Sequence, residues 1–292
     1  MSTSNLTAET IQVPHLAAGP SVWRRQLMAI FRIELSKAMF SRRAFSCYAL
    51  ISMPIILMLA VAFDEARDGP STVFENIENA RRIFGYIFST LIIATVLFLG
   101  NASIFTTLFR GEMLDRSIHF YMLTPVRREV LVIGKYLAGL TAAFVLFGLC
   151  TLICFSLLYV PFGVAQFITD LSNGIVMQQL GLYLGIVVLG SMGYGAVFMA
   201  TGLLFKNPLI PIVIVAGWEM LHFILPPALK VFSIIYYIKG LLPIPMDEGP
   251  LAVIAASPPL WISIVGMLGL SAVTVAISVL ILKRTEVRYT DE

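Results

Sequence analysis

Six runs of apolar residues, at about 44–63, 83–105, 131–160, 179–205, 209–225 and 258–282, narrow what this chain can fold into more than any other feature. A helix rising about 1.5 Å per residue needs roughly 20 apolar residues to cross the hydrocarbon of a bilayer. The fifth run is short: Pro226-Pro227 stops it, and Lys206-Asn207-Pro208 sets a tight hairpin between it and the fourth. The rest of the composition agrees, with 58% hydrophobic and only 13% charged residues. Soluble domains carry about 25% charged residues. One water-solvated core cannot hide this much apolar surface in 292 residues, so soluble enzymes and disordered scaffolds are excluded. The expected fold class is an all-α polytopic membrane protein with six transmembrane helices.

Six spans place both termini on one side, and the distribution of cations chooses the side. Arg24, Arg25, Arg32, Lys37, Arg42 and Arg43 precede the first span. Arg110, Arg116, Arg127, Arg128 and Lys135 flank or occupy the loop after the second, Lys206 the next hairpin, and Lys283, Arg284 and Arg288 the tail. These are fifteen of the 20 Lys and Arg; Arg67, Arg81, Arg82, Lys230 and Lys239 fall on the other side. The expectation is a multi-pass protein of the cell (inner) membrane with both termini cytoplasmic. A net charge of +3 implies no nucleic-acid partner.

The segments outside the spans differ in character. Residues 1–20 are polar, lack a secretory apolar core, and read as a flexible tail. Residues 21–43 read as an interfacial amphipathic helix: Trp23, Leu27, Met28, Ile30, Phe31, Leu35, Ala38 and Met39 share one face at 100° per residue. Arg24 and Glu34 interrupt that stripe, and a plain electrostatic anchor fits the segment equally well. The span-bearing domain runs from 44 to 282, and 283–292 form a cytoplasmic tail. The external loop 64–82 is acidic. The external segment 226–257 is too Pro-broken for a crossing and too apolar for a solvated loop; it fits short re-entrant helices or a cap on the outer surface.

The stretch 106–135, TTLFRGEMLDRSIHFYMLTPVRREVLVIGK, concentrates charge in a chain that otherwise avoids it. Its charged residues alternate with Met113, Leu114, Ile118, Phe120 and Tyr121, and Thr124-Pro125 starts the helix entering span three. A connector alone would be shorter and plainer. The mixed character suits docking to another protein, against the plainer reading of a solvated hairpin tip.

The run Glu112…Asp115-Arg116-Ser117-Ile118…Leu123-Thr124-Pro125-Val126-Arg127-Arg128…Gly134-Lys135 resembles the membrane subunits of type-2 ABC transporters. Six spans, cytoplasmic termini, the amphipathic helix and the apolar segment before the last span are similar to that family as well. The resemblance covers residues 21–285. It implies a permease subunit, most simply a homodimer with spans two and five at the seam, that exports a hydrophobic or amphipathic substrate. A separate ABC-type ATPase subunit would bind ATP and Mg. The coupling interface it implies is the loop 106–130, with Glu112, Asp115, Arg116, Ser117, Ile118, Thr124, Pro125, Arg127 and Arg128. This chain contains no GxxxxGK[ST] loop, and no cofactor is expected in it.

Other constellations are weaker. Gly190-Ser191-Met192-Gly193 with His222 resembles the dyad of rhomboid proteases, but the serine stands one position early and the histidine of an earlier span is missing. Glu219-x-x-His222 lacks the first histidine of HExxH, so neither catalytic nor metal residues are assigned. Gly181, Gly185, Gly190, Gly193 and Gly195 fit a helix-packing face. Glu219 and His222 remain as candidate polar residues of the pathway or outer gate, or else Glu219 ties span five to the following segment. Cys47, Cys150 and Cys154 read as small hydrophobes. A secondary transporter would need buried ions or repeated halves, which are not evident. A non-transporting scaffold would not need the charged loop.

Overall fold

The structure, a computed structural model, describes residues 20–41, 44–68, 74–114, 127–205, 207, 209–222, 224–243 and 257–284. Among these residues the secondary structure is entirely helical. Five helices are long and apolar enough to cross a membrane: Ala44–Arg67, Ile77–Phe109, Arg128–Leu158, Ile175–Leu204 and Leu260–Arg284. The helix that begins the fifth expected span, Leu209–Leu221, has 13 residues. At about 1.5 Å per residue it reaches roughly 20 Å, short of the ~30 Å hydrocarbon layer.

The elements in chain order are α1 (Pro20–Phe40), α2 (Ala44–Asp68), α3 (Ile77–Ile87), a π-helical stretch (Phe88–Leu97) and α4 (Phe98–Leu114). Then come α5 (Arg128–Leu158), α6 (Gly163–Ser172), α7 (Ile175–Leu204) and α8 (Leu209–Leu221). The short α9 (Pro227–Lys230) and α10 (Ile234–Lys239) precede the last helix, α11 (Leu260–Arg284). Asn76 starts α3 by accepting the Asn79 N–H on its side chain, at 2.8 Å. The helix continues through the π-helical stretch, where the Phe98 N–H reaches back to the Ile93 carbonyl. Pro54 lies inside α2 and cannot donate to the ladder. One turn away, the Cys150 thiol of α5 donates to the Ile51 carbonyl at 3.8 Å. All three cysteines are buried and free, packed as small apolar groups.

Helix α7 is the centre of the bundle, packing against α4, α5 and α11, while α5 also carries α1 and α2. The α4–α7 contact is close because Gly202 faces the backbone of Thr106; a Cβ at Gly202 would stand 3.0 Å from the Thr106 Cα. Gly190, Gly193 and Gly195 likewise admit Leu97, Met267 and Phe105, whereas Gly181 and Gly185 face open space. The packing face expected on this helix is therefore confined to its second half. At the other end Tyr183 gathers Phe84 and Phe88, with ring centroids at 5.2 and 4.5 Å. Such tilted and edge-on pairs add to plain area burial.

Helix α6 has no counterpart in the sequence reading. Gly163 and Gly174, at φ +78° and +77°, bracket it and turn the chain where side-chain-bearing residues would be strained. Asp170 holds it down by pairing with Arg81 of α3, and Gln166 donates to the same carboxylate at 3.0 Å. The described part of the segment after α8 is also packed. Ile234, Tyr237 and Ile238 of α10 are buried, and α10 touches both α7 and α11.

Candidate functional site

Among the described residues, a cluster of polar contacts lies where α1, the end of α4, the start of α5 and the end of α11 meet. Lys135 is fully buried about two turns into α5. Its ammonium stands 3.0 Å from the Glu34 carboxylate of α1 and donates to the Leu108 carbonyl of α4 at 2.8 Å. Phe109 adds a ring face, with its centroid 5.1 Å from the nitrogen. Glu34 is 3% exposed and also accepts from Lys37 at 3.3 Å. Isolating either charge in an apolar interior would be costly, so each makes the other's position tolerable.

This pairing explains an irregularity in the sequence. Glu34 interrupts the apolar stripe of α1 where that face meets Lys135 of α5. Ile30 and Glu34 face α5, and a Cβ at Gly134 would stand 3.0 Å from Ile30. Helix α1 is thus seated on the start of α5. The available signal was two opposite charges inside apolar patterns, Glu34 and Lys135, but periodicity carries no information about partners 101 positions apart.

Of the residues expected to form the coupling interface, Arg127 and Arg128 are described in full. The Arg127 guanidinium lies over the Trp23 ring of α1, 4.3 Å from its centroid. Arg128 donates one nitrogen to the Leu282 and Lys283 carbonyls at 2.8 and 2.7 Å. Those carbonyls end α11 and have no partner of their own within the helix, so a cation there satisfies them and complements the helix dipole. Glu129 pairs with Lys283 beside them. Glu112 lies in the last turn of α4. Asp115, Arg116, Ser117, Ile118, Thr124 and Pro125 lie outside the described residues. The structure therefore brings Arg127, Arg128 and Lys135 together at the root of the charged loop, with α1 and α11 as their partners.

The second polar group expected to matter sits away from that end, where α10 packs on the middle of α7. Glu219 is 6% exposed, and its carboxylate accepts from the Ser233 hydroxyl at 2.6 Å and from the Ile234 and Ile235 N–H groups at 2.9 and 3.2 Å. It caps α10 and ties it to α8. His222 is buried near it, its ring 6.2 Å from that of Tyr236. Ser191 is fully buried, and no catalytic pairing of Ser191 with His222 is seen. Among the described residues no group of three or more His, Cys, Asp and Glu side chains is arranged to hold a metal ion.

No protein-family model matches this chain, and no curated protein matches it.

Proposed function

We propose that the chain is the permease subunit of an ATP-driven ABC transporter that exports a hydrophobic or amphipathic substrate. It would work as a homodimer with a separate ATPase subunit that binds ATP and Mg. In this reading the protein lies in the cell (inner) membrane with six spans. Helix α8 is the fifth, and α9 and α10 belong to the re-entrant segment. Fifteen cations against five make the end that carries Arg128 and Arg284 cytoplasmic. The Glu219 cap on α10 supports the re-entrant arrangement, since it gives the broken backbone partners away from water.

The observation that carries the proposal is the Glu34–Lys135–Leu108 contact at the root of loop 106–130. The loop's charge placement suits docking to a second protein, and any force on the loop meets α4 on one side and α5 on the other. Lys135 joins those two helices and α1, while Arg128 joins α11 to α5. The four elements then move as one body, and closure of two ATPase subunits beneath them changes the space between two permease copies. Glu112, Asp115, Arg116, Ser117, Ile118, Thr124 and Pro125 make the outward contact. Arg127 and Arg128 pass it inward.

The test is co-purification of the full chain with an ATPase from native membranes, followed by ATP hydrolysis with and without hydrophobic cargo. Glu112→Ala and Arg116→Ala are expected to insert normally and to lose ATPase association and cargo-stimulated turnover. Asp64→Ala, at the opposite end, is expected to change neither. Absence of any ATP-hydrolysing partner, or full association and stimulation in both loop variants, overturns the proposal.

A further inference from the structure

A groove of about 770 Å³ runs between α5 and α11 and opens sideways from the bundle. Ile133 and Tyr136 form one wall, Ala272 and Ala276 the other, and Met192 of α7 the floor. The two alanines, one turn apart, leave the space that larger side chains would fill. Only hydroxyls and Glu129 interrupt the apolar lining, and the Tyr136 hydroxyl is spent on the Met192 carbonyl at 2.9 Å. Along α11 the lining extends from Leu268 to Leu280, a rise of twelve residue steps. At about 1.5 Å per residue this is roughly 18 Å, close to the ~15 Å depth of one leaflet's hydrocarbon.

The ends of the groove are not alike. Glu129 marks the end at which α5 begins and α11 stops. Arg128, Lys283 and Arg284 stand at that end, so it is net cationic. An apolar channel one leaflet deep with a basic mouth is complementary to an acyl chain attached to a phosphate. We propose that this groove is a binding site for an anionic phospholipid, with one acyl chain between α5 and α11 and the phosphate at Lys283 and Arg284. Basic pockets between transmembrane helices bind such headgroups by the same electrostatics. The site adjoins the end of loop 106–130 through Arg128 and Glu129, and its occupancy does not depend on the chain being a transporter.

The proposal is tested with the purified full chain in detergent, offered phosphatidylglycerol and phosphatidylcholine with identical acyl chains, and read by native mass spectrometry. Phosphatidylglycerol is expected to be retained preferentially. Lys283→Ala and Arg284→Ala each lower that preference about fivefold, the scale of one cation beside an anionic surface. Glu129→Gln raises it. Ala276→Trp, which fills the groove, abolishes retention of both lipids; if that variant is not monodisperse, the milder Ala272→Leu decides the point. Equal retention of the two lipids by the unmodified chain overturns the assignment of an anionic ligand. Undiminished phosphatidylglycerol binding in the filled-groove variant overturns the site.

Discussion

Glu34 and Glu219 are both carboxylates held almost out of solvent in apolar helices, yet the structure accommodates them by different means. Glu34 meets an ammonium, so its helix is bound to a charge on another helix. Glu219 meets a hydroxyl and two backbone N–H groups, so it is bound to the start of a helix. The first arrangement depends on two ionised side chains being present together. The second depends on one acceptor and on backbone that is always there. Charge pairing joins large helices at the basic end of the bundle, whereas capping fixes a short local turn against the middle of α7.

The largest expected effect breaks the first region. Lys135→Ala leaves Glu34 buried without that ammonium and is expected to cost about 3–5 kcal/mol, the range for removing one partner of a buried pair. Thermal unfolding in detergent measures it. The double variant Glu34→Gln/Lys135→Met sharpens the comparison, because removing both charges is expected to cost less than the sum of the single changes. A simple additive loss would show that the two groups act independently. Next comes Glu219→Ala, which strands the Ser233 hydroxyl and the N–H groups of Ile234 and Ile235. A loss of about 1–3 kcal/mol is expected, the penalty for buried donors left unmet. Proteolysis between α8 and α11 should accelerate in that variant and not in Lys135→Ala measured at equal stability. The smallest effect belongs to the exposed Glu129–Lys283 pair. Glu129→Gln is expected to leave the melting temperature unchanged within error at physiological salt, because solvent and ions screen such pairs. A clear drop would mean that the whole basic end, and not Lys135 alone, holds α11 in place.

The helices were legible because their apolar runs are long. The runs at 131–160 and 179–205 became Arg128–Leu158 and Ile175–Leu204, shifted by a few residues. The run at 209–225 gave only thirteen helical residues, because the helix ends at Leu221, ahead of the Pro226-Pro227 pair expected to stop it. The π-helical stretch at Phe88–Leu97 was invisible, because its residues Phe-Ser-Thr-Leu-Ile-Ile fit an ordinary helix equally well. Helix α6 was missed for want of length, although the two glycines around it were a usable signal. At the candidate site, Arg127 and Arg128 were chosen for their charge, but their partners Trp23, Leu282 and Lys283 are set by tertiary packing. Glu34 was noticed only as an interruption. Its meaning lay in a residue far along the chain.

That separation has a consequence for how the protein is made. Synthesis proceeds from the N-terminus at roughly 5–20 residues per second, so Glu34 emerges roughly 5–20 s before Lys135. During that interval α1 carries a carboxylate on a face that will later be covered, and the helix has no finished seat. Docking of α1 therefore reports that the third long helix has arrived. A nascent chain stalled after two helices lacks the ammonium that Glu34 meets in the finished protein.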